Sequence, residues 1–263
     1  MKICLDAGHY SKYNRSPVVP EYYESDMTWK LQGQLKSELE SYGITVITTR
    51  TSQAEDVPLE ARGKAAKSCD LFISLHSNAC DDAAVDYPLA CCTVTGKADG
   101  IGQTLANTVH DVMGTRQTGR IVKKKGDSGD WYGVLRGAAS VGVPGVLLEH
   151  SFHTNASAAN WLLSDDNIKQ LARAEAAAIA AYYGIKKQSA VKPVAGNTFL
   201  VKIICDSLNV RSDAGVGNKV TDVVHKNEVF TIVDTKTVGS STWGKLKSGA
   251  GWINISDKYA KKI

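Results

Sequence analysis

Apolar residues in the first 185 positions alternate between short continuous runs and helical spacing. The runs are bounded by polar residues or glycine, a pattern typical of buried strands. Between two runs, Leu31, Leu35 and Leu39 recur every four residues, which predicts a helix. That helix is predicted from about Ser25 to Gly43, and others at 59–67, 100–113 and 156–183, the last with a break near Ser164. Strands are predicted at 3–5, 44–48, 71–75, 90–94 and 143–148.

The order of these elements indicates the fold class. Strands separated by helices favour parallel pairing, because a parallel neighbour needs a long crossover connection. We therefore predict an α/β fold, with a mostly parallel twisted sheet and helices on both faces.

The last third of the chain has a different pattern. Short β-type runs alternate with glycine-containing turns and no helical spacing intervenes, which predicts a small all-β barrel. The predicted strands are 208–210, 220–224, 228–233, 243–246 and 252–255.

A change of composition separates the two parts. The segment 186–197 (KKQSAVKPVAGN) contains Pro193 and Gly196 and no cluster of large aliphatic residues, so we interpret it as a linker between domains 1–185 and 198–263. Residues 186–263 hold 13 basic and 6 acidic residues, a net charge of +7, whereas residues 1–185 carry −3. The basic residues are spread among strands and turns, so no nucleic-acid partner is predicted.

Composition excludes several classes of protein. With 263 residues, 43% hydrophobic and 22% charged, the chain resembles an ordinary globular protein. Its most apolar stretch, 176–183, is far shorter than the ~20 residues of a membrane span, so no membrane insertion is predicted. No apolar segment of signal-peptide type follows Met1, and we expect synthesis in the cytoplasm. The six cysteines lack any C-x-x-C pair and are expected to be reduced.

Residues whose side chains could bind a metal or take part in catalysis follow the predicted strands. His9, His76 and Glu149 each come at or just after the end of a run, and Glu24 precedes the first helix. Singly, these residues fit a turn cap, a core histidine or an acid at a helix N-terminus. Together, two imidazoles and a carboxylate form the ligand set of a catalytic zinc site, which lowers the pKa of bound water to about 7. A further carboxylate, Glu149, is then available as general base.

Four segments in order resemble the zinc-dependent N-acetylmuramoyl-L-alanine amidases of phage endolysins and bacterial autolysins. Residues 5–9 (LDAGH) are similar to the family's D-x-G-H box and 74–79 (SLHSNA) to its S-x-H-x-N-A box. Glu24 within residues 23–25 (YES) resembles the family's metal-binding glutamate, and Glu149 at the end of 146–149 (VLLE) resembles its catalytic glutamate.

The resemblance implies that His9, Glu24 and His76 bind Zn²⁺ and that Glu149 is catalytic. It also implies hydrolysis of the amide between N-acetylmuramic acid and L-alanine in peptidoglycan, by an enzyme acting at the bacterial cell wall.

Other ligand-type residues leave alternatives open. Glu21 is an alternative to Glu24 as a metal ligand, and Cys80, four residues after His76, could pair with His76 as a ligand. His150 and His153 stand beside the catalytic glutamate, where they either touch substrate or lie on the surface. Structural roles are expected for two further histidines, His110 and His225.

The C-terminal part resembles bacterial SH3-type domains of cell-wall hydrolases. The similarity rests on 208–212 (LNVRS), 226–230 (KNEVF), 243–246 (WGKL) and 251–253 (GWI). It implies a module that anchors the enzyme to peptidoglycan. Trp243 and Trp252 are candidates for stacking on a ligand or for packing in the core.

Two other functions fit the same residues. A zinc peptidase would cut within the stem peptide and shorten it. A wall-binding protein without activity would retain the domain as a scaffold, although all four site residues are present.

Overall fold

The computed structural model describes residues 1–186 and 198–263, so the predicted linker lies outside the described residues except for Lys186. The chain divides into two compact units, Met1–Gln188 and Ser189–Ile263. The predicted domain limits stay a prediction.

Strands and helices of the first unit largely follow the predicted order. The strands are β1 (Lys2–Ala7), β2 (Thr45–Thr48), β3 (Leu71–Asn78), β4 (Leu89–Cys92), β5 (Arg120–Val122), β6 (Lys125–Gly126), β7 (Gly129–Asp130) and β8 (Gly145–Phe152). The helices are α1 (Glu24–Ser41), α2 (Leu59–Lys64), α3 (Asp99–Met113), α4 (Gly133–Ser140), α5 (Ala156–Leu163) and α6 (Asp165–Tyr182). The break predicted near Ser164 is confirmed, because its side chain accepts from the backbone N–H of Asn167 and caps α6.

The main sheet has the strand order β2-β1-β3-β8-β4-β5 and is mixed. Four neighbouring pairs are parallel, but β4 runs antiparallel to β8. The connection from β3 to β4, residues 79–88, contains no helix. A parallel return requires a longer crossover, so this short connection reverses the chain direction at β4. The prediction of a mostly parallel sheet holds for four of the five strand pairs.

Helices cover both faces of the sheet, as predicted. Alternate residues of β1 enter different cores: Ile3 and Leu5 pack with α1, α3, α5 and α6, whereas Cys4 faces the layer that contains α4. Helix α2 packs closely against α4 at Gly63. Glycine permits this contact because a Cβ at this position would overlap the carbonyl oxygen of Val134.

The second unit is all-β. Its strands are β9 (Phe199–Ile203), β10 (Ser207–Arg211), β11 (Val220–His225), β12 (Val229–Val238), β13 (Ser241–Leu246), β14 (Trp252–Asn254) and β15 (Ala260–Lys262). They pair antiparallel in the order β11-β10-β14-β13-β12-β9-β15. Trp243 is buried in this unit, whereas Trp252 is partly exposed with Lys245 Nζ 6.0 Å from its ring centre.

Two further observations concern the described residues. No helix within 1–186 or 198–263 is both long and apolar enough to cross a bilayer. All six cysteines are free, as predicted, and burial raises the pKa of the Cys91 thiol to about 12.

Candidate active site

The three predicted metal ligands come together at the carboxyl edge of the sheet. His9 follows β1, His76 lies near the end of β3, and Glu24 is the first residue of α1. Since β1 and β3 are parallel neighbours, with Ala7 opposite Leu75, their carboxyl ends meet at one edge. Ligand atoms of His9, Glu24 and His76 all lie within 4.8 Å of one another.

Glu24 is the centre of this cluster. Its Oε1 lies 2.8 Å from His76 Nδ1 and its Oε2 lies 3.1 Å from His9 Nε2. The backbone N–H of Ser77 also donates to Oε1 at 2.9 Å, and the Asn14 amide donates to Oε2. Burial alone would raise the pKa of Glu24, but hydrogen bonds from His76 and His9 oppose that effect, and the pKa lies well below its ordinary value. The cluster therefore presents a buried anion between two imidazoles.

Glu149 lies beside the cluster on β8, directly opposite His76 in the register of the two strands. Its Oε2 is buried and finds no hydrogen-bond partner among the described residues. Burial raises the pKa of Glu149 well above its usual range, and the negative charge of Glu24 raises it further. A buried carboxyl oxygen without a partner is costly, and this one lies next to the ligand cluster.

A cavity of about 340 Å³ opens over these residues. His9, Glu24, His76 and Glu149 line it together with residues from other loops and helices, among them Asn14, Leu59, Asn78, Tyr132 and Val134. The arrangement can hold a divalent cation and place a proton acceptor next to a bound substrate.

His150 and His153 are buried behind the cluster, so the surface alternative for them is wrong. His150 Nδ1 lies 2.8 Å from the carbonyl oxygen of His76, and its Nε2 lies 2.7 Å from Glu175 Oε1. His153 Nδ1 lies 3.0 Å from the carbonyl oxygen of Ser77 and 2.9 Å from its Oγ. Both histidines support the backbone of the segment that carries His76.

The rival ligands do not join the cluster. Glu21 is exposed, and the half-buried Cys80 places its thiol 3.3 Å from the carbonyl oxygen of Asp82. His110 bonds Thr115 Oγ1 at 2.8 Å, and His225 is exposed on β11. Asn14 and Ser77 contact Glu24 but were not predicted from the sequence, although Ser77 lies within the S-x-H-x-N-A box.

The loop that enters the site is conformationally unusual. His9, Ser11 and Asn14 have φ values of 60°, 48° and 57°, and Ser151 at the end of β8 has 60°. Such left-handed conformations are uncommon outside glycine. Two of the six non-glycine residues with positive φ in the described chain, His9 and Asn14, line the cavity.

Comparisons with known proteins find relatives over most of the chain. The profile of the family described as N-acetylmuramoyl-L-alanine amidase matches residues 3–181. The endolysin of Bacillus phage SPP1 is 31% identical over 272 residues, covering 98% of this chain and 96% of the phage protein.

Solved structures have the same fold in the first unit. The catalytic domain of CwlV, an N-acetylmuramoyl-L-alanine amidase from Bacillus (Paenibacillus) polymyxa var. colistinus, matches with a TM-score of 0.61 at 21% identity. The match covers 70% of this chain and 99% of that one. N-acetylmuramoyl-L-alanine amidase AmiC2 of Nostoc punctiforme gives 0.61 at 22% identity, covering 70% and 97%.

Proposed function

Because the chain belongs to the N-acetylmuramoyl-L-alanine amidase family, we propose that it hydrolyses the amide between the lactyl group of N-acetylmuramic acid and L-alanine with the help of zinc. The observation that carries this proposal is the placement of a buried, ionised Glu24 between two imidazoles, with the unpartnered oxygen of Glu149 beside them.

The residues present fit a zinc ion. Two histidine nitrogens and one carboxylate oxygen are a common catalytic donor set, which leaves one position open. The lowered pKa of Glu24 means that its carboxylate needs no deprotonation before it binds a cation. When bound, zinc would supply Lewis acidity to the scissile carbonyl and to the attacking water.

Glu149 performs the proton transfers in this proposal. Its carboxylate accepts a proton from the attacking water and then returns that proton to the departing α-amine of L-alanine. The raised pKa suits both steps, because a group whose pKa is closer to the working pH can accept and release a proton. Burial of Oε2 keeps bulk water from competing for it.

The second unit has a proposed role in binding. We infer an SH3-type module that holds the enzyme at the bacterial cell wall and raises the local concentration of substrate. The antiparallel all-β architecture and the net charge of +7 over residues 186–263 support this interpretation. Peptidoglycan is then both substrate and anchor.

Substitution of Glu149 tests the mechanism. Glu149→Ala should remain folded and bind zinc, while release of L-alanine amino groups from purified cell walls falls by at least 100-fold. Glu21→Ala is the matched control, since it removes an exposed carboxylate from the same end of the domain and should retain activity. Full activity in Glu149→Ala would remove this residue from the mechanism.

Mass spectrometry of the wild-type digest identifies the bond. Glycan strands released together with intact stem peptides are expected from an amidase. Shortened stem peptides would indicate the zinc peptidase instead, and undigested walls would indicate a binding protein without activity.

A further inference from the structure

The imidazole of His76 is contacted on both of its nitrogens. Nδ1 faces Glu24 inside the cluster, at 2.8 Å from Oε1. Nε2, on the opposite side of the ring, lies 3.1 Å from Ser74 Oγ. Ser74 is two residues earlier on β3, so both side chains project from the same face of the strand.

Ser74 is in turn bonded to a buried acid. Its Oγ donates to Asp6 Oδ2 at 2.7 Å, and both residues are fully buried. The two are direct neighbours in the register of β1 and β3. The other carboxylate oxygen of Asp6 accepts from Thr49 Oγ1 at 2.5 Å and lies 3.7 Å from an Arg62 nitrogen. Asp6 therefore faces a guanidinium and two hydroxyl donors.

The direction of these hydrogen bonds determines where the ring carries its proton. The Asp6 carboxyl group accepts one hydrogen bond on each oxygen, so the Ser74 hydroxyl uses its single hydrogen in the bond to Asp6. The lone pairs of Ser74 Oγ then face His76 Nε2, which must be the N–H nitrogen to complete the bond. A cation that takes the place of the hydrogen between Nδ1 and Glu24 therefore meets the lone pair of Nδ1, because Ser74 holds the other ring hydrogen on Nε2.

We propose that Asp6 and Ser74 form a positioning relay that fixes His76 as the Nε2–H tautomer and so presents Nδ1 to the metal. The inference rests on the proposed zinc site and adds two residues that touch neither metal nor substrate. Partners of this kind orient a ligating imidazole and raise its basicity, and their loss typically lowers metal affinity about 10–100-fold.

Zinc titration of the metal-free full-length chain tests the relay. Ser74→Ala should bind zinc about 10–100-fold more weakly than the wild type. Thr49→Val is the matched control, because it also removes a hydroxyl donor to Asp6 but has no hydrogen bond to His76, and its affinity should stay within about 3-fold of the wild type. Ser74→Thr restores the hydroxyl and should recover most of the affinity.

A spectroscopic measurement distinguishes the relay from a general loss of packing. In zinc-loaded protein labelled with ¹⁵N, the His76 Nε2–H proton should be hydrogen-bonded and slow to exchange in the wild type and Thr49→Val, and should lose that protection in Ser74→Ala. Asp6→Asn gives a second route to the same test, because its amide can donate to Ser74 and free the serine proton to point at Nε2. It should weaken zinc binding by a similar factor.

Wild-type zinc affinity and a protected proton in Ser74→Ala, or wild-type affinity in folded Asp6→Asn, would overturn the relay. An equal loss of affinity in Thr49→Val would overturn it as well. Failure of the wild-type chain to bind zinc would instead refute the zinc site itself, and the relay with it.

Discussion

Gly8 separates β1 from His9, and a side chain at this position would collide with His76 of the candidate metal site. A Cβ on Gly8 would overlap Cε1 of His76 and lie 2.7 Å from Nδ1 of the same ring. It would also lie 2.6 Å from the carbonyl oxygen of Leu75, to which the Gly8 N–H donates at 3.0 Å. Ordinary contacts of this type are about 3.5–4.0 Å, so the His76 ring must retreat by roughly 1 Å in Gly8→Ala.

That displacement has two measurable consequences. Overpacking of this kind costs about 1–3 kcal/mol in the free energy of unfolding. A retreat of roughly 1 Å also breaks the 2.8 Å contact between His76 and Glu24, and we expect zinc affinity to fall by at least about 10–100-fold. Zinc titration of the metal-free chain measures the second effect, and urea unfolding of the same sample measures the first.

Gly33→Ala is the control for the glycine replacement itself. Gly33 is exposed within α1, and a Cβ there meets no atom within 4 Å. This variant should gain about 0.5–1 kcal/mol in the free energy of unfolding and bind zinc like the wild type. The reasoning is refuted if Gly8→Ala and Gly33→Ala bind zinc equally well, because the ring position would then not determine affinity.

Three further predictions concern stability and metal content. In the zinc-free chain, the pKa of Glu149 is higher in the folded state than in the unfolded state, so folding favours its protonated form. The folded chain is therefore most stable below the unfolded-state pKa of this group and loses stability as the pH rises toward the folded-state pKa. Glu149→Gln should therefore gain stability relative to the wild type between about pH 4 and pH 8, and parallel pH profiles would contradict this. Glu175→Ala leaves His150 buried without its partner and should lose about 3 kcal/mol in urea unfolding, whereas the exposed-pair variant Glu40→Ala should lose far less. Removal of zinc by a chelator should abolish wall hydrolysis and lower the melting temperature, and added zinc should restore both.

Much of the first unit could be predicted because its signals are local. The four-residue spacing of Leu31, Leu35 and Leu39 defines α1, since it places all three on the face that packs on the sheet. The convergence of His9 and His76 follows from a general property of parallel strands, whose carboxyl ends lie at one edge. The roles of these residues as ligands stay predictions.

The remaining features depend on contacts between distant segments. Helix α4 has the sequence GVLRGAAS, whose glycines and alanines give little hydrophobic pattern, and it is stabilised by close packing on α2. The antiparallel direction of β4 is decided by its short connection, and β9 and β15 lie at positions without an alternating signal. The contact between Asp6 and Ser74 requires the register of two strands, which no spacing along the chain reveals.

The left-handed residues of the loop that follows β1 offer positions for engineering stability. Each non-glycine residue in such a conformation costs on the order of 1–2 kcal/mol, and Ser11 is exposed and outside the metal cluster. Replacement of Ser11 by asparagine or glycine, which tolerate this backbone shape, offers a route to a more heat-resistant hydrolase that leaves His9, Glu24, His76 and Glu149 unchanged. The same replacement at His9 would remove a candidate ligand together with the strain. At Ser11, two residues later, the strain can be relieved without loss of a candidate ligand.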